Sequence, residues 1–432
     1  MKMKGPTRRA LLLLSLGLVF LGASHLGAEQ PTSITFLTWK PNQPEVWDRL
    51  IDRFHQEHPK IKIEVQVGPH SSTEYHAIVT QRLKNRDPSV DVFFMDVIWP
   101  PEFASAGWAL DLTSRFSREE QRRFLSAPIF ANTYDGKVYG VPLFIDAGLF
   151  YFRKDLLEKY GFDPPRSWKE MLTQGDVILK GEADPTLHIY SGQFKQYEGL
   201  VCDMLEFIWS RGGRVLDPEA GRVPLTDPAS IEAITFVRDH IVGQAAPRGV
   251  VNYEEPESLE LFIQGRAVFL RNWPYAWTVA NDPDRSKVAG KVGVGPLPAF
   301  AGHRSASALG GWQFAISRWS KHLDEGWQFV QFMTSAESQK MIAFLAGRAP
   351  TRMAVYEDPE FQEKVPHLKA FLPAFKKARP RPMSPLYPMI SQELQRFFSQ
   401  AITDKKSDVP ALAERASANI ARVLQMEALT RP

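Results

Sequence analysis

The feature that most constrains this chain is a regular alternation of strand-like and helix-like segments between Ser33 and Val97. Ser33–Trp39 is a short β-rich run. Val46, Trp47, Leu50, Ile51 and Phe54 then recur at helical spacing. Ile61, Ile63, Val65 and Val67 alternate with Lys62, Glu64 and Gln66, as in a strand with one buried face. A polar helical stretch over Thr73–Lys84 leads to a third strand, Val90–Val97. The order β-α-β-α-β predicts an α/β fold with a parallel sheet and right-handed crossovers. Asp96 falls at the carboxyl end of the third strand, where open α/β sheets take their ligands.

Further signals extend the pattern. Val138–Phe152 is apolar apart from Asp146 and contains Pro142, so it is expected to leave one sheet and enter another. Ser167 followed by Glu170 predicts a capping box, and Asp227-Pro228 a helix start. Glu257–Gln264 reads as a helix, Ala267–Leu270 and Ala308–Ser317 as strands, and Lys321–Met333 and Ala336–Ala346 as helices, the latter closed by Gly347. A proline cluster from Pro366 to Pro388 precedes two terminal helices near 391–402 and 409–427. At 432 residues the chain is long enough for two or three cores, yet no Gly/Ser-rich linker divides it. Two α/β lobes crossed several times by the chain fit that better than successive independent domains.

The first 28 residues read as an export signal. Lys2, Lys4, Arg8 and Arg9 precede the apolar stretch Leu11–Leu21, which ends in small residues at Leu26-Gly27-Ala28. That stretch is too short for the roughly 20 residues of a membrane-spanning helix. Arg8-Arg9 also fits a twin-arginine signal, so the export route stays open. Without those four cations, 48 basic residues face 49 acidic ones, and the charge footprint of a nucleic-acid binder is missing. Cys202 is the only cysteine, which excludes an intrachain disulfide and a lipid-bearing cysteine near Ala28. The expected location is the periplasm of a two-membrane bacterium, with no lipid anchor.

Sequence motifs for catalysis are sparse. There is no G-x-S-x-G elbow and no phosphate loop, and Gly293-Val294-Gly295 lacks the third glycine of a dinucleotide fingerprint. His55 and His58 stand one helical turn apart without a zincin pattern, which fits the end of a solvated helix better than a metal site. No cofactor, metal or catalytic residue is expected. What stands out is polar residues set among aromatics: Asp96 in Phe93–Trp99, Asp146 after Phe144-Ile145, the segment Asn272-Trp273-Pro274-Tyr275-Ala276-Trp277, Leu309-Gly310-Gly311-Trp312, and Arg381 in the proline cluster. Aromatic faces suit the apolar C–H patches of a neutral sugar, while carboxylates accept from hydroxyls and Arg donates to them.

These motifs carry a family resemblance. Met95-Asp96-Val97, Asp146-Ala147-Gly148-Leu149, Arg153–Gly161, Gln196–Cys202, Asn272–Trp277, Leu309–Trp312 and Arg381-Pro382 together resemble the solute-binding proteins of carbohydrate ABC transporters, most closely the trehalose/maltose branch. The resemblance implies a type II, maltose-binding-protein-like fold of two lobes joined by three hinge crossings. The expected division is 29–143 with 308–347 for one lobe and 144–307 with 348–432 for the other, crossing near Phe144, Ser307 and Arg348. It further implies sugar contacts at Gln43, Asp96, Phe144, Asp146, Trp273, Tyr275, Gly311, Trp312 and Arg381. Gln43 and Phe144 depart from the branch, which often has glutamate and tyrosine there. The implied ligand is an α-linked disaccharide of the trehalose, maltose or sucrose type, taken up by a monomer through hinge closure. The implied partners are an ABC permease and its separate ATPase. The alternatives are a secreted glycoside hydrolase or lyase using Asp96 and Asp146, and a receptor for another solute such as glycerol 3-phosphate.

Overall fold

The computed structural model describes residues 31–41, 43–217 and 222–430, so the expected export signal lies outside the described residues. The opening alternation is realised as β1 (Thr32–Thr38), helix Pro44–Glu57, β2 (Ile61–Val67), helix Ser72–Lys84 and β3 (Val92–Asp96). β1 pairs in parallel with β2 and with β3. The first helix starts with proline at its first position and buries Val46, Trp47, Leu50, Ile51 and Phe54, the periodic set. His55 and His58 serve this helix end: His55 Nε2 accepts from the Ile63 amide at 2.9 Å, and His58 stacks on Phe54.

A small hairpin, β4 (Thr133–Tyr134) with β5 (Lys137–Val138), precedes the apolar run, which divides at Gly148 into β6 (Val141–Ala147) and β7 (Leu149–Arg153). The remaining strands are β8 (His188–Ser191), β9 (Ala267–Asn272), β10 (Val292–Gly295), β11 (Leu309–Ile316) and β12 (Ala349–Pro350). They form two main sheets. The six-stranded sheet has the order β12-β6-β11-β3-β1-β2, and the four-stranded sheet the order β10-β7-β9-β8. β11 runs antiparallel between β3 and β6, with Trp312 opposite Asp96 on one side and Phe144 on the other.

Each sheet has its own core. Phe36, Phe94, Phe314 and Phe329 meet edge-on or tilted in the first, with ring centroids 4.6–5.7 Å apart. In the second, the helix Glu198–Ser210 is buried at every position and packs against the helix Tyr387–Thr403. Trp168 and Phe207 stack there at 4.1 Å, beneath the Ser167–Glu170 capping box that the sequence predicted.

The crossings differ from the expected ones at two places. Phe144 is not a crossing: it lies within β6, paired with Trp312 and Pro350, and the chain leaves the first sheet only at Gly148. Arg348 is not one either. β12 follows it on the first sheet, and the helices Met353–Glu357 and Pro359–Lys364 pack on the helix Ala336–Ala346, because Val355, Tyr356 and Phe361 need that apolar cover. The helix Pro366–Lys377, which tolerates Pro373 in its interior, touches β6 and stacks His367 on Trp277 at 5.2 Å. The chain then runs past the crossing at Ala308, where Leu309 N donates to Arg379 O and Arg379 N to Ser307 O, both at 2.8 Å.

Candidate ligand-binding site

The carboxyl ends of β3 and β6, the start of β11 and the residues after β9 converge on one cleft between the sheets. Its walls leave a space of about 80 Å³, narrower than the ~300–1,000 Å³ usual for a small-molecule site. Seven of the nine expected contacts line it: Asp96, Asp146, Trp273, Tyr275, Gly311, Trp312 and Arg381. Gln43 and Phe144 do not. Gln43 is buried at the N-cap of the helix Pro44–Glu57, and its carbonyl accepts from Val46 N. Phe144 is buried in β6, with its ring 4.8 Å from the Arg348 guanidinium.

Arg381 is the centre of the polar side. Its Nη2 donates to Asp96 Oδ1 at 2.9 Å and its Nη1 to Glu198 Oε1 at 2.8 Å. Glu198 also accepts from the hydroxyls of Tyr387, at 2.6 Å, and Ser391. Its amide donates to Thr73 Oγ1 at 3.1 Å, a direct bond between the two halves of the cleft. Burial pushes the Asp96 carboxyl above the usual aspartate range, against the pull of Arg381. Opposite, Arg348 Nη1 stands 3.5 Å from Asp146 Oδ2. Burial outweighs that pair and raises the Asp146 carboxyl to about 6.

Aromatic rings form the rest of the wall. Trp312 packs against Trp39 and Trp99, both at 5.5 Å, and against Tyr75 at 6.0 Å. The Arg348 guanidinium lies against Trp39, Phe144 and Tyr275, closest to Tyr275 at 4.5 Å. Trp273 is fixed by its Nε1 donating to Glu255 Oε1 at 3.0 Å, and Glu255 Oε2 accepts from the Tyr197 hydroxyl. Gly310 and Gly311 are demanded by close approach. A Cβ on Gly311, at φ +134, would stand 2.6 Å from the Phe144 carbonyl oxygen, and one on Gly310 would stand 3.2 Å from the Trp273 ring.

Three buried polar atoms of lining residues have no hydrogen-bond partner among the described residues: the acceptor Asp146 Oδ1 and the donors Arg381 Nε and Trp39 Nε1. Asn132, Gln174, Tyr190 and Gln313 carry such atoms elsewhere in the fold, so these three bear on a ligand because they share one cleft. A hydroxyl-rich ligand suits them, because each OH both donates and accepts. Sequence reasoning missed Trp39, His70, Glu198, Glu255 and Arg348 as lining residues. Two had a local signal: Glu198 opens a helix that is otherwise apolar except for Asp203, Glu206 and Ser210, and Arg348 stands alone among Ala346, Gly347, Ala349 and Pro350. At the rim, ligand atoms of His70, Glu254 and Glu255 all lie within 4.8 Å of one another, but Lys195 Nζ already pairs with Glu254 at 2.5 Å.

The chain resembles known proteins over most of its length. The model of a family described as bacterial extracellular solute-binding proteins matches residues 40–340. A probable ABC transporter-binding protein of Deinococcus radiodurans is 36% identical over 355 residues, which is 81% of this chain and 83% of that protein. The maltose-bound structure of MalE3 from T. maritima is 39% identical with a TM-score of 0.85, covering 91% of this chain and 99% of that one. The GacH receptor of Streptomyces glaucescens, at 24% identity, shares the fold with a TM-score of 0.79 over 94% of this chain and all of that one. The architecture is the two-lobe, maltose-binding-protein-like fold that the sequence resemblance implied.

Proposed function

We propose a function from one premise: this chain belongs to the bacterial extracellular solute-binding protein family, whose members are substrate-binding receptors of ABC transporters and not enzymes. The ligand in this reading is a neutral, α-linked disaccharide of the maltose, trehalose or sucrose type. The observation that carries it is one cleft in which the aromatic faces of Trp312, Trp273 and Tyr275 surround a buried acceptor and two buried donors with no partner. Apolar sugar faces pack on the rings. Ring hydroxyls donate to Asp146 Oδ1 and accept from Arg381 Nε and Trp39 Nε1. The charge balance favours a neutral ligand over a phosphorylated one. The two lining guanidiniums are already paired, Arg348 with Asp146 and Arg381 with Asp96 and Glu198, and Glu255 adds a fourth lining carboxylate, so neither Arg is left over for an anion. A solved relative 39% identical, MalE3 from T. maritima, is maltose-bound, which supports the same reading.

In this reading the lobe of the six-stranded sheet and the lobe of the four-stranded sheet close on the sugar about Gly148, Ala308 and the segment near Arg379. The protein is exported to the periplasm under the 1–28 signal. It works as a monomer and delivers sugar, when closed, to a permease energised by a separate ATPase. Among the described residues no helix is long and apolar enough to cross a membrane. A thermal-shift screen with maltose, trehalose, sucrose, glucose and glycerol 3-phosphate tests the ligand class. One of the disaccharides is expected to raise Tm most. Stabilisation by glycerol 3-phosphate alone, or by none of them, overturns the reading.

A further inference from the structure

We propose that the buried Arg271–Glu206 ion pair is a positioning element that couples the hinge to the sugar platform at Trp273. The inference rests on Trp273 being such a platform, as proposed above. Neither Arg271 nor Glu206 lines the cleft. Arg271, fully buried in β9, donates through Nε and Nη2 to the two oxygens of Glu206, both at 2.8 Å, and through Nη1 to Gln193 Oε1 at 2.9 Å. Asp203 Oδ1 adds a second carboxylate 3.1 Å from Nε. The guanidinium therefore has almost no freedom, and its carbon lies 4.0 Å from the centroid of the Trp273 ring.

The other end of the pair touches the hinge. Glu206 Oε1 accepts from the backbone amide of Ala308 at 2.9 Å, at the second crossing. Gly148, the first crossing, lies so close that a Cβ there would stand 2.0 Å from Glu206 Oε1 and 2.7 Å from Arg271 Nη2. Ser307 Oγ donates to Gly148 O at 2.8 Å, which ties the two crossings together. One bidentate pair thus bears on both crossing strands and on the underside of the indole. Rotation about Gly148 and Ala308 is felt by Glu206, passed through the rigid fork of Arg271, and delivered to the plane of Trp273.

The test uses the full chain and has two arms. In the first, without sugar, the indole N–H NMR resonance of Trp273 is assigned by its loss in Trp273→Phe and followed in Gly148→Ala and Glu206→Gln. Both changes are expected to shift it, although neither residue touches the indole N–H. An unmoved resonance in both folded variants overturns the proposal. In the second arm, calorimetry measures maltose affinity for the wild type, Glu206→Gln, Trp273→Ala and the double variant. Glu206→Gln is expected to weaken binding about tenfold alone and to add nothing in the Trp273→Ala background, the signature of residues that act as one unit. A role confined to lobe stability predicts losses that add in full, and that result also overturns the proposal. Wild-type protein that binds none of maltose, trehalose and sucrose refutes the platform and leaves the coupling to be decided by the first arm; if it binds trehalose or sucrose instead, that sugar replaces maltose in the second arm.

Discussion

If Asp146 accepts a sugar hydroxyl, affinity must follow its ionisation, and the structure sets the pH window. Its carboxyl titrates at about 6 in the folded protein, because burial penalises the charged form more than Arg348 restores it. An unfolded aspartate titrates near ~3.9. Between those values the folded state holds the extra proton. The stability this group contributes is therefore full below about pH 4 and is lost as pH rises through about 6, by on the order of 3 kcal/mol. Sugar-free protein is not weakened by this group on acidification. Binding runs the other way, because only the carboxylate offers Oδ1 as a charged acceptor. At pH 5 about one molecule in ten is ionised, so affinity should fall about tenfold from its value at pH 7.5, or ~1.4 kcal/mol. Calorimetry with maltose at both pH values measures this directly. At pH 6, two buffers of different ionisation enthalpy should also report release of about half a proton per sugar. Asp146→Asn should bind more weakly at pH 7.5 and lose the pH dependence. Equal affinity at the two pH values, or a tenfold fall that survives in Asp146→Asn, refutes the assignment and in the second case moves it to Asp96, whose carboxyl burial also raises.

Trp312→Ala should weaken maltose binding by ~1–3 kcal/mol, the scale of removing one aromatic face from an apolar contact, and prolonged incubation of wild-type protein should leave the sugar intact by chromatography. Arg381→Ala strands the buried carboxylates of Asp96 and Glu198, so sugar-free stability in a denaturant titration should fall by about 3–5 kcal/mol; a change below about 1 kcal/mol would mean that the pair is already solvated. Gly311→Ala forces a Cβ toward the Phe144 carbonyl at a φ that side chains rarely adopt, and should lower Tm as well as affinity. Saturating maltose should reduce the radius of gyration in small-angle scattering, and an unchanged curve would speak against lobe closure.

The elements that periodicity names were legible because each is decided locally. The helix Pro44–Glu57 buries the five residues that recur at helical spacing. β2 exposes Lys62, Glu64 and Gln66, although Val65 and Val67 at its far end are exposed too, since this edge strand outruns its cover. The helix Glu198–Ser210 is buried on all sides, so it has no solvent-facing stripe, and only the i, i+3, i+7 spacing of Asp203, Glu206 and Ser210 marks its period. The proline cluster misled: Pro366 sits at the first position of a helix, and the helix continues through Pro373 because its buried face, Leu368, Phe371 and Phe375, is held by the core.

The same distinction between local and distant causes explains the site. Asp96, Asp146 and Trp312 stood out because strand ends set among aromatics mark them without knowledge of their partners. Glu198 and Arg348 acquire their place only through residues far away in the chain. Glu198 is held by Arg381, Tyr387 and Ser391, which come more than 180 positions later. Arg348 reaches Asp146 and Tyr275 because β12 pairs with β6 across the edge of the first sheet. Phe144 stands outside the lining for a related reason: β6 places its ring against Arg348, so the residue supports the cation that faces Asp146. The cleft is therefore two nested layers, an aromatic and acidic surface written locally at strand ends, and a set of distant cations that decide which of its polar atoms stay uncommitted for a ligand.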